Sequence, residues 1–248
     1  MTLKAVILGV AGAMALMTAT PAAAVMISFG GVDPGDGSQL TSALTPDNNN
    51  DLARGLFVET FDTEDGGCGL NSTAFGVQIS GDYVIRKGSV ATAAAPGHES
   101  TCFAAGPALL GGASDSATID FTSALSSNPL FAGKKIDYLG LYWGSMDDYN
   151  SITFYAGDDA LLTLTGADVR AAAAVSGDQV AAGANRYVNL YFDVHEQFTR
   201  LVFSATSYAF ELDNVAVRVA DVPEPATLGL MGMGALGLAA AGRRRRKV

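Results

Sequence analysis

The sequence predicts an all-β fold, a two-sheet β-sandwich of the jelly-roll type with long loops. Short segments rich in β-branched and aromatic residues recur about every ten to fifteen residues, and Gly, Asp, Asn, Ser and Pro bound them. No convincing amphipathic helix of about twelve or more residues lies between these segments. Many short strands in one chain are typical of two packed sheets, because alternate residues of each strand fill the space between the sheets.

The strand pattern occurs in eleven segments. In chain order they are residues 26–29, 56–61, 74–79, 83–86, 117–121, 136–143, 151–156, 161–165, 186–192, 198–205 and 208–219. Residues 34–51, which contain PGDG and TPDNNN, and residues 91–112 are predicted to be long loops, since they carry turn chemistry and little apolar periodicity. The alanine-rich residues 167–175 are predicted as one short helix or a loop.

Residues 138–155, with the sequence YLGLYWGSMDDYNSITFY, predict two strands and their connection. Leu139, Leu141 and Trp143 alternate on one face of the first strand, and residues 144–150 join it to the next. This alternation predicts that one face of the strand lies in the core.

The last predicted strand changes phase along its length. Apolar residues alternate in one phase up to Leu212 and in the other phase from Val215, so the slip falls at Asp213 and Asn214. Because strand side chains alternate with period two, the slip requires a bulge or a bend. Bulges commonly re-aim polar side chains at functional sites, and the alternative is a corner where the strand crosses between two buried faces.

The first 24 residues predict a secretion signal. Lys4 is followed by an apolar stretch over residues 5–17, and Ala22 and Ala24 satisfy the small-x-small cleavage rule. Cleavage leaves residues 25–221, a length that suits one domain with a sizeable core. An uncleaved membrane anchor is the alternative, which the short apolar stretch and the small residues at its end disfavour.

The last 27 residues combine a proline-containing motif, an apolar run and a basic tail. The VPEP motif consists of Val222, Pro223, Glu224 and Pro225. Its prolines keep the chain extended, the uncharged residues 226–242 are able to enter a bilayer, and the cations at 243–247 hold the terminus in the cytoplasm. An uncut single-span anchor is one interpretation, although 17 apolar residues are at the short end of the length that spans a bilayer.

These three features together resemble the PEP-CTERM sorting signal of Gram-negative bacteria. The resemblance implies export through the Sec machinery, transient anchoring in the inner membrane through residues 222–248, and cleavage near VPEP by an exosortase. It also implies a final location at the cell surface, in the outer membrane or in the extracellular matrix. Contact with the membrane is expected only through this C-terminal segment before cleavage.

The predicted secreted domain is strongly acidic. Residues 25–221 contain nine Lys and Arg against 24 Asp and Glu, a net charge of −15. Such a surface repels nucleic acid and anionic lipid, because binding either requires cationic side chains that neutralise phosphates. The composition favours solubility and cation binding.

Cys68 and Cys102 are the two cysteines of the chain, and both lie in the predicted exported domain. An oxidising compartment permits a disulfide between them, which is the default interpretation. Metal ligation is disfavoured, since neither cysteine has a CxxC partner and His98 and His195 lack the spacing of a zinc site.

An acidic segment and the last strand suggest a calcium site. Four carboxylates fall within the seven residues 59–65 and are followed by glycines, a composition that suits calcium, and a solvated acidic loop is the alternative. Sandwich folds of the galactose-binding and carbohydrate-binding kind have a similar acidic early strand and a similar FELDNV-like last strand. That resemblance implies a structural calcium ion, with Glu59, Asp62 and Asp213 as its candidate ligands.

The predicted hairpin also carries candidate sugar-binding residues. They are Trp143, Asp147, Asp148, Tyr149 and Asn150. An aromatic ring packs on the C–H groups of a sugar while carboxylates and amides bind its hydroxyls. The alternative, which we favour, is that Trp143 lies in the core and the DDYN turn caps the hairpin.

The sequence shows no recognisable serine-hydrolase or nucleotide-binding motif. It has no GxSxG motif and no P-loop lysine, and neither histidine has a recognisable nucleophile or orienting acid beside it. We therefore expect a non-catalytic surface or matrix protein associated with extracellular polysaccharide or biofilm. A calcium-dependent, lectin-like carbohydrate-binding module is the alternative, and a glycan-active hydrolase is a third hypothesis.

Overall fold

A computed structural model describes residues 25–71, 76–107 and 115–221. Within these ranges, two antiparallel sheets pack face to face, which confirms the predicted all-β sandwich. The strands are β1 (Met26–Phe29), β2 (Leu56–Glu59), β3 (Gln78–Gly81), β4 (Val84–Lys87), β5 (Cys102–Ala105), β6 (Asp115–Asp120), β7 (Lys135–Gly144), β8 (Asn150–Ala156), β9 (Asp159–Thr165), β10 (Arg186–Tyr191), β11 (Arg200–Ala205) and β12 (Glu211–Ala220).

The larger sheet has the strand order β1-β10-β7-β12-β5-β4, and β2 also pairs with β12. The smaller sheet has the order β3-β6-β11-β8-β9. The long strands β7 and β12 lie side by side and antiparallel, with Glu211 opposite Gly144 and Ala220 opposite Lys135. Every loop that follows or precedes these two strands therefore lies at one end of the sandwich or the other.

The space between the sheets is filled by apolar side chains. Leu139, Leu141 and Trp143 of β7 all face it, as their alternation predicts. Trp143 is 1% exposed and stacks on Phe210 with ring centroids 4.2 Å apart. The opposite face of the larger sheet, called here the outer face, is buried by loops instead of by a second sheet.

Tyrosine side chains dominate the centre of the outer face. The Tyr138 hydroxyl donates to Asn189 Oδ1 at 2.7 Å, and the Tyr187 hydroxyl donates to the Asn214 carbonyl at 3.0 Å. Both rings lie over Gly140, where a Cβ atom would approach the Tyr138 hydroxyl to 2.3 Å. Glycine is required at this position because the two phenols occupy the space of a side chain.

The predicted phase slip in β12 is a bulge. The register against β7 shifts between Asp213 and Ala216, and Asn214 has a φ of +48°. The extra residue returns Val215 to the core face that Leu212 also occupies. The slip therefore leaves both halves of β12 packed on the same core.

The structure contains two elements that the sequence does not predict, and it shortens a third. The predicted loop 91–112 contains β5, a short strand whose buried residues pair with β4 and β12. A helix, α1 (Thr122–Ser127), follows β6 where no helix is predicted. The alanine-rich segment forms only one short helix, α2 (Gly166–Val169), which ends before most of the predicted range 167–175.

The predicted disulfide between Cys68 and Cys102 is present, with Cα atoms 5.5 Å apart. It joins the turn after β2 to the first residue of β5, so it tethers that turn to a strand and not to the long loop predicted at residues 91–112. The Cys102 amide also donates to Asp62 Oδ1 at 3.0 Å, next to the disulfide.

Several predictions fall outside the described residues. These are the secretion signal at 1–24, the beginning of the predicted strand 74–79, and the C-terminal segment 222–248 with its VPEP motif and apolar run. In the described part of the chain, no helix has the length and apolar character needed to cross a membrane.

Candidate functional site

Four connections meet at one end of the sandwich and enclose an open cleft of about 300 Å³. They are the β4–β5 loop, the β7–β8 turn, the α2–β10 loop and the residues that lead into β12. The polar side chains that line the cleft belong to Thr92, Ser145, Asp147, Tyr149, Ser176, Gln179, Tyr208 and Glu211. Hydroxyl, amide and carboxyl groups therefore share one ligand-sized space.

Glu211 lies at the wall of the cleft as the first residue of β12. Its side chain is 4% exposed, and Oε1 accepts the Ala94 amide at 3.1 Å. Oε2 is buried and has no hydrogen-bond partner within the described ranges. Burial raises the pKa of this carboxyl to about 9, and the charge of Asp147 contributes further.

Asp147 and Tyr149 come from the β7–β8 turn. The Ser176 hydroxyl donates to Asp147 Oδ1 at 3.2 Å, and the Tyr149 hydroxyl also bonds to Asp147. Burial raises the pKa of Asp147, whereas these two hydrogen bonds lower it. The Tyr208 ring is 49% exposed at the rim, so an aromatic face is accessible beside the carboxyls.

The structure separates the five predicted sugar-binding residues. Asp147 and Tyr149 line the cleft, while the exposed Asp148 pairs with Arg170 at 2.7 Å. Asn150 is fully buried. Trp143 cannot contact a sugar, because its ring is buried against Phe210, and this position corrects the predicted patch in favour of the alternative.

A second polar site lies on the outer face, where the loop before β5 covers β12. Asp213 is fully buried, and its Oδ1 accepts the Asn214 amide at 2.7 Å. Glu99 approaches it from the loop, close enough for a carboxyl–carboxyl hydrogen bond when a proton is present. Burial raises the pKa of both carboxyls.

The three predicted calcium ligands are not grouped as expected. Asp62 is close enough to Asp213 for its charge to raise the pKa of that group. Glu59 faces the same side of β2 as Phe57, which lies in the core, and it accepts the Phe61 and Asn71 amides at 2.9 and 3.1 Å. The alternation of β2 therefore directs Glu59 away from the outer face that holds Asp213.

No three acidic, histidine or cysteine side chains form a metal-binding group in the part of the chain that the structure describes. Glu99 is the residue near Asp213 that the sequence does not reveal, since it lies in a polar stretch and reaches β12 only through the tertiary fold. The GHES context around it carries no metal-ligand spacing.

A larger cavity of about 410 Å³ lies at the other end of the sandwich, beside the last described residues. Its charged side chains are already paired: Arg218 contacts both oxygens of Asp137 at 2.8 and 3.0 Å, and Lys134 lies 3.2 Å from Asp221. The smaller cleft is the better candidate site, because it holds polar groups that are not ion-paired.

These features define a class of protein, an all-β sandwich whose loops form a polar cleft at one end. The family described as PEP-CTERM protein-sorting motif matches residues 221–246, which include Val222, Pro223, Glu224 and Pro225. The chain therefore carries a PEP-CTERM sorting motif, which implies recognition by an exosortase, export and sorting to the cell surface. No curated protein and no solved structure matches the chain significantly.

Proposed function

We propose that the chain is a non-catalytic surface protein that binds carbohydrate of the extracellular polysaccharide layer through the cleft. The observation that carries this proposal is the open, polar space of about 300 Å³ bounded by hydroxyl, amide and carboxyl groups. Sugars present many hydroxyl groups, each able to donate and accept, and such mixed linings bind them.

The chemistry of the rim supports a saccharide ligand. The accessible ring of Tyr208 offers an apolar face for sugar C–H groups, and its neighbours Asp147 and Gln179 offer acceptors and donors for hydroxyls. Trp143, the aromatic residue suggested by the sequence, is replaced in this role by Tyr208. The site is on loops held by rigid strands, as binding sites commonly are.

The position of the cleft also supports the proposal. Strand β12 begins at the cleft with Glu211 and ends at Ala220, just before the sorting motif. At about 3.3 Å per residue, these two ends are roughly 30 Å apart. A protein held at the cell surface by its C-terminal end would direct the cleft away from that surface and into the polysaccharide.

The non-catalytic part of the proposal rests on how the carboxyls are bound. Glycoside hydrolysis needs two carboxyl groups at a defined separation, with access to opposite sides of the scissile bond. Asp147 is engaged by the hydroxyls of Ser176 and Tyr149, and Glu211 is 4% exposed. Asp147 is thus held by two hydroxyl donors, and Glu211 has little exposed surface, which supports binding over hydrolysis.

The test uses the exported protein purified from its host, together with the extracellular polysaccharide of the same host. Calorimetry and cosedimentation are expected to detect binding at millimolar saccharide or below. Tyr208→Ala should weaken it about tenfold, the scale of one lost aromatic contact. Phe29→Ala is the matched control, because Phe29 is 44% exposed and lies outside the cleft.

Three results would contradict the proposal. The absence of binding at millimolar saccharide would contradict the assignment of carbohydrate as the ligand. Equal weakening by both variants would show that the cleft is not the binding site. Release of shortened saccharides during incubation would replace the non-catalytic interpretation with a glycan-active hydrolase, for which Asp147→Asn and Glu211→Gln are the first variants to assay.

A further inference from the structure

We infer that the saccharide bound in the cleft carries a free amino group, whose ammonium form contacts Glu211, Asp147 and Ser145. The ligand class is therefore an amino sugar, a hexosamine unit without an N-acetyl group. This inference rests on the proposed function, since it names the kind of saccharide that the same cleft would bind. It follows from the charges of the lining residues and from two buried oxygen atoms that have no hydrogen-bond partner.

The lining of the cleft has acidic side chains but no basic ones. Asp147 and Glu211 carry its carboxyl groups, and none of the described residues that line it is Lys, Arg or His. Arg170, whose charge reaches Asp147, already pairs with Asp148 at 2.7 Å. A uronic acid would bring its own carboxylate to these groups without a free cation to receive it, whereas an ammonium group is attracted by them.

Two buried oxygen atoms of the lining lack a hydrogen-bond partner. Glu211 and Ser145 both line the cleft, and each is 4% exposed. No described residue forms a hydrogen bond with Glu211 Oε2 or with Ser145 Oγ. Buried polar atoms without a partner are costly and uncommon in native proteins, so a ligand with several donors would satisfy both. Ser145 is uncharged, and it therefore indicates a ligand independently of the two carboxyl groups.

The pairing of β7 with β12 brings these residues to the same wall of the cleft. Glu211 lies opposite Gly144 in the antiparallel ladder, and Ser145 follows Gly144 directly. The Glu211 side chain is fixed by the β4–β5 loop, because Oε1 accepts the Ala94 amide at 3.1 Å. Oε2 is thus the oxygen of this carboxyl that remains for a ligand.

A primary ammonium group matches this set of acceptors. It has three N–H donors and no acceptor, and Glu211, Asp147 and Ser145 each offer an acceptor oxygen. Hydrogen bonds between charged partners are also shorter and stronger than neutral ones. A sugar hydroxyl would satisfy one of these oxygens without compensating the charge of Asp147. An N-acetyl group would offer a single amide N–H and no charge.

Glu211 changes its protonation state in this interaction. Burial raises the pKa of its carboxyl to about 9, so the unliganded cleft holds it as a neutral acid at pH 7. Asp147, whose charge adds to this rise, Tyr149 and Tyr208 are the other titratable groups in the described lining. An ammonium group stabilises the carboxylate. Glu211 therefore releases one proton to the solvent as the amino sugar binds, and no bond of the saccharide is broken.

The rest of the cleft favours an amino sugar over a simple amine. The Tyr208 ring is 49% exposed at the rim and offers a face to sugar C–H groups. Thr92 and Gln179 add a hydroxyl and an amide for the ring hydroxyls of a sugar. The volume of about 300 Å³ has room for a sugar unit beside the ammonium position.

The test compares the extracellular polysaccharide of the host before and after N-acetylation with acetic anhydride, at pH 7 and about 150 mM salt. Acetylation converts each free amine to a neutral amide and leaves the sugar rings and their linkages in place. Binding of the exported protein should weaken about 10–100-fold, the range expected for the loss of a charge-assisted contact. Equal binding to both forms would overturn the amino sugar and leave the proposed carbohydrate binding intact. No binding to either form would contradict the proposed function itself.

Two variants place the effect in the cleft. Glu211→Gln and Asp147→Asn should each weaken binding to the untreated polysaccharide and reduce the effect of acetylation. Asp159→Asn is the matched control and should behave as wild type, because Asp159 is an exposed acid of β9 outside the cleft. Equal weakening by Asp159→Asn would assign the effect to the overall charge of the domain and overturn the site. If Glu211→Gln does not fold, Asp147→Asn decides, since Asp147 is only half-buried.

Competition separates an amino sugar from other amines. Oligosaccharides released from the untreated polysaccharide by partial hydrolysis should displace it from the protein. Lysine amide at the same amine concentration should compete at least about tenfold less well, because it lacks the sugar ring that contacts Tyr208. Equal displacement by lysine amide would overturn the amino sugar in favour of amine-bearing side chains of other proteins.

Calorimetry in phosphate and Tris buffers at pH 7 measures the proton released by Glu211. The two buffers differ in their heats of ionisation, so a released proton makes the observed heats of binding differ. The wild type should release about one proton for each bound amino sugar, and Glu211→Gln should release none. Equal heats in the two buffers for the wild type would overturn the role of Glu211 as the partner of the ammonium group.

Discussion

The two faces of the larger sheet are both buried, but by different chemistry. The inner face presents residues such as Leu141 and Trp143 to the smaller sheet and contains almost only apolar side chains. The outer face presents Tyr138, Tyr142 and Asp213 to loops, and its contacts are hydrogen bonds and charge interactions. The fold depends on the first face, whereas the second face adds specific polar contacts between the sheet and the loops that cover it.

This difference has an energetic consequence. The energy of apolar contacts depends little on the relative orientation of the side chains but strongly on their volume, whereas a buried polar group requires a specific hydrogen-bond partner. Variants on the inner face should therefore lose stability in proportion to the volume removed. The stability loss of variants on the outer face should depend on which hydrogen-bond donor or acceptor is removed.

The largest expected effect is on the inner face. Trp143→Ala should destabilise the protein by about 3–5 kcal/mol, because it removes a buried ring that stacks on Phe210. Urea unfolding measures this change, and Trp143→Phe should recover part of the loss. A cost below about 1 kcal/mol for Trp143→Ala would contradict the assignment of this ring to the core.

Removal of the disulfide should have the next largest effect. Cys68→Ala with Cys102→Ala should lower the free energy of unfolding by about 2–4 kcal/mol, since the bond closes a loop of 34 residues in the unfolded chain. Thermal unfolding with and without a reductant provides the control. The reductant should destabilise the wild type and leave the double variant unchanged; an equal response in both would contradict the prediction.

On the outer face, the sharpest comparison is at Asn214. Its Nδ2 donates to the Ser38 carbonyl at 2.8 Å, and its backbone has a φ of +48°. Asn214→Ala removes the hydrogen bond and strains the backbone, so it should cost about 2–3 kcal/mol. Asn214→Gly removes the same hydrogen bond but accepts the positive φ, so it should cost about 1 kcal/mol less than alanine.

Urea unfolding of the two Asn214 variants tests this separation. Equal costs for alanine and glycine would show that the bulge imposes no backbone requirement of its own. An unchanged stability in both would contradict the role of Asn214 in attaching the loop that contains Ser38 to β12.

The comparison of the two faces also explains what the sequence predicts well. Alternation identifies the inner face directly, because Leu139, Leu141 and Trp143 are apolar at every second position. The phase slip at Asp213 identifies the bulge for the same reason. The two cysteines identify the disulfide, since the chain offers no other pairing.

The missed elements lack such local signals. Strand β5 is only four residues long and contains two alanines, which have low β-propensity, so its strand state depends on pairing with β4 and β12. Glu99 lies in a polar loop and becomes a neighbour of Asp213 only where that loop crosses β12. The sequence suggests Trp143 and not Tyr208 as the aromatic residue of the site. Alternation predicts the face of a strand on which a ring lies, but it does not predict which loops converge at the cleft.

The smallest expected effect lies outside both faces, at the start of helix α2. Asp168 accepts the Thr165 amide and hydroxyl, each at 2.7 Å, and these bonds lower the pKa of Asp168. Asp168→Asn should cost about 0.5 kcal/mol at neutral pH, because the exposed helix end loses a charged acceptor.

The pH dependence of this difference follows from the direction of the pKa shift. The contribution of the charge is complete above the unfolded-state pKa of Asp168, near 3.9, and it disappears as the pH falls through the lower folded-state value. Wild type and Asp168→Asn should therefore differ at pH 7 and converge near pH 2 in parallel urea titrations. A difference in stability that persists at low pH would assign the effect to the shape of the side chain. Convergence would assign it to the charge of Asp168. The larger stability losses would then come from the two faces of the larger sheet.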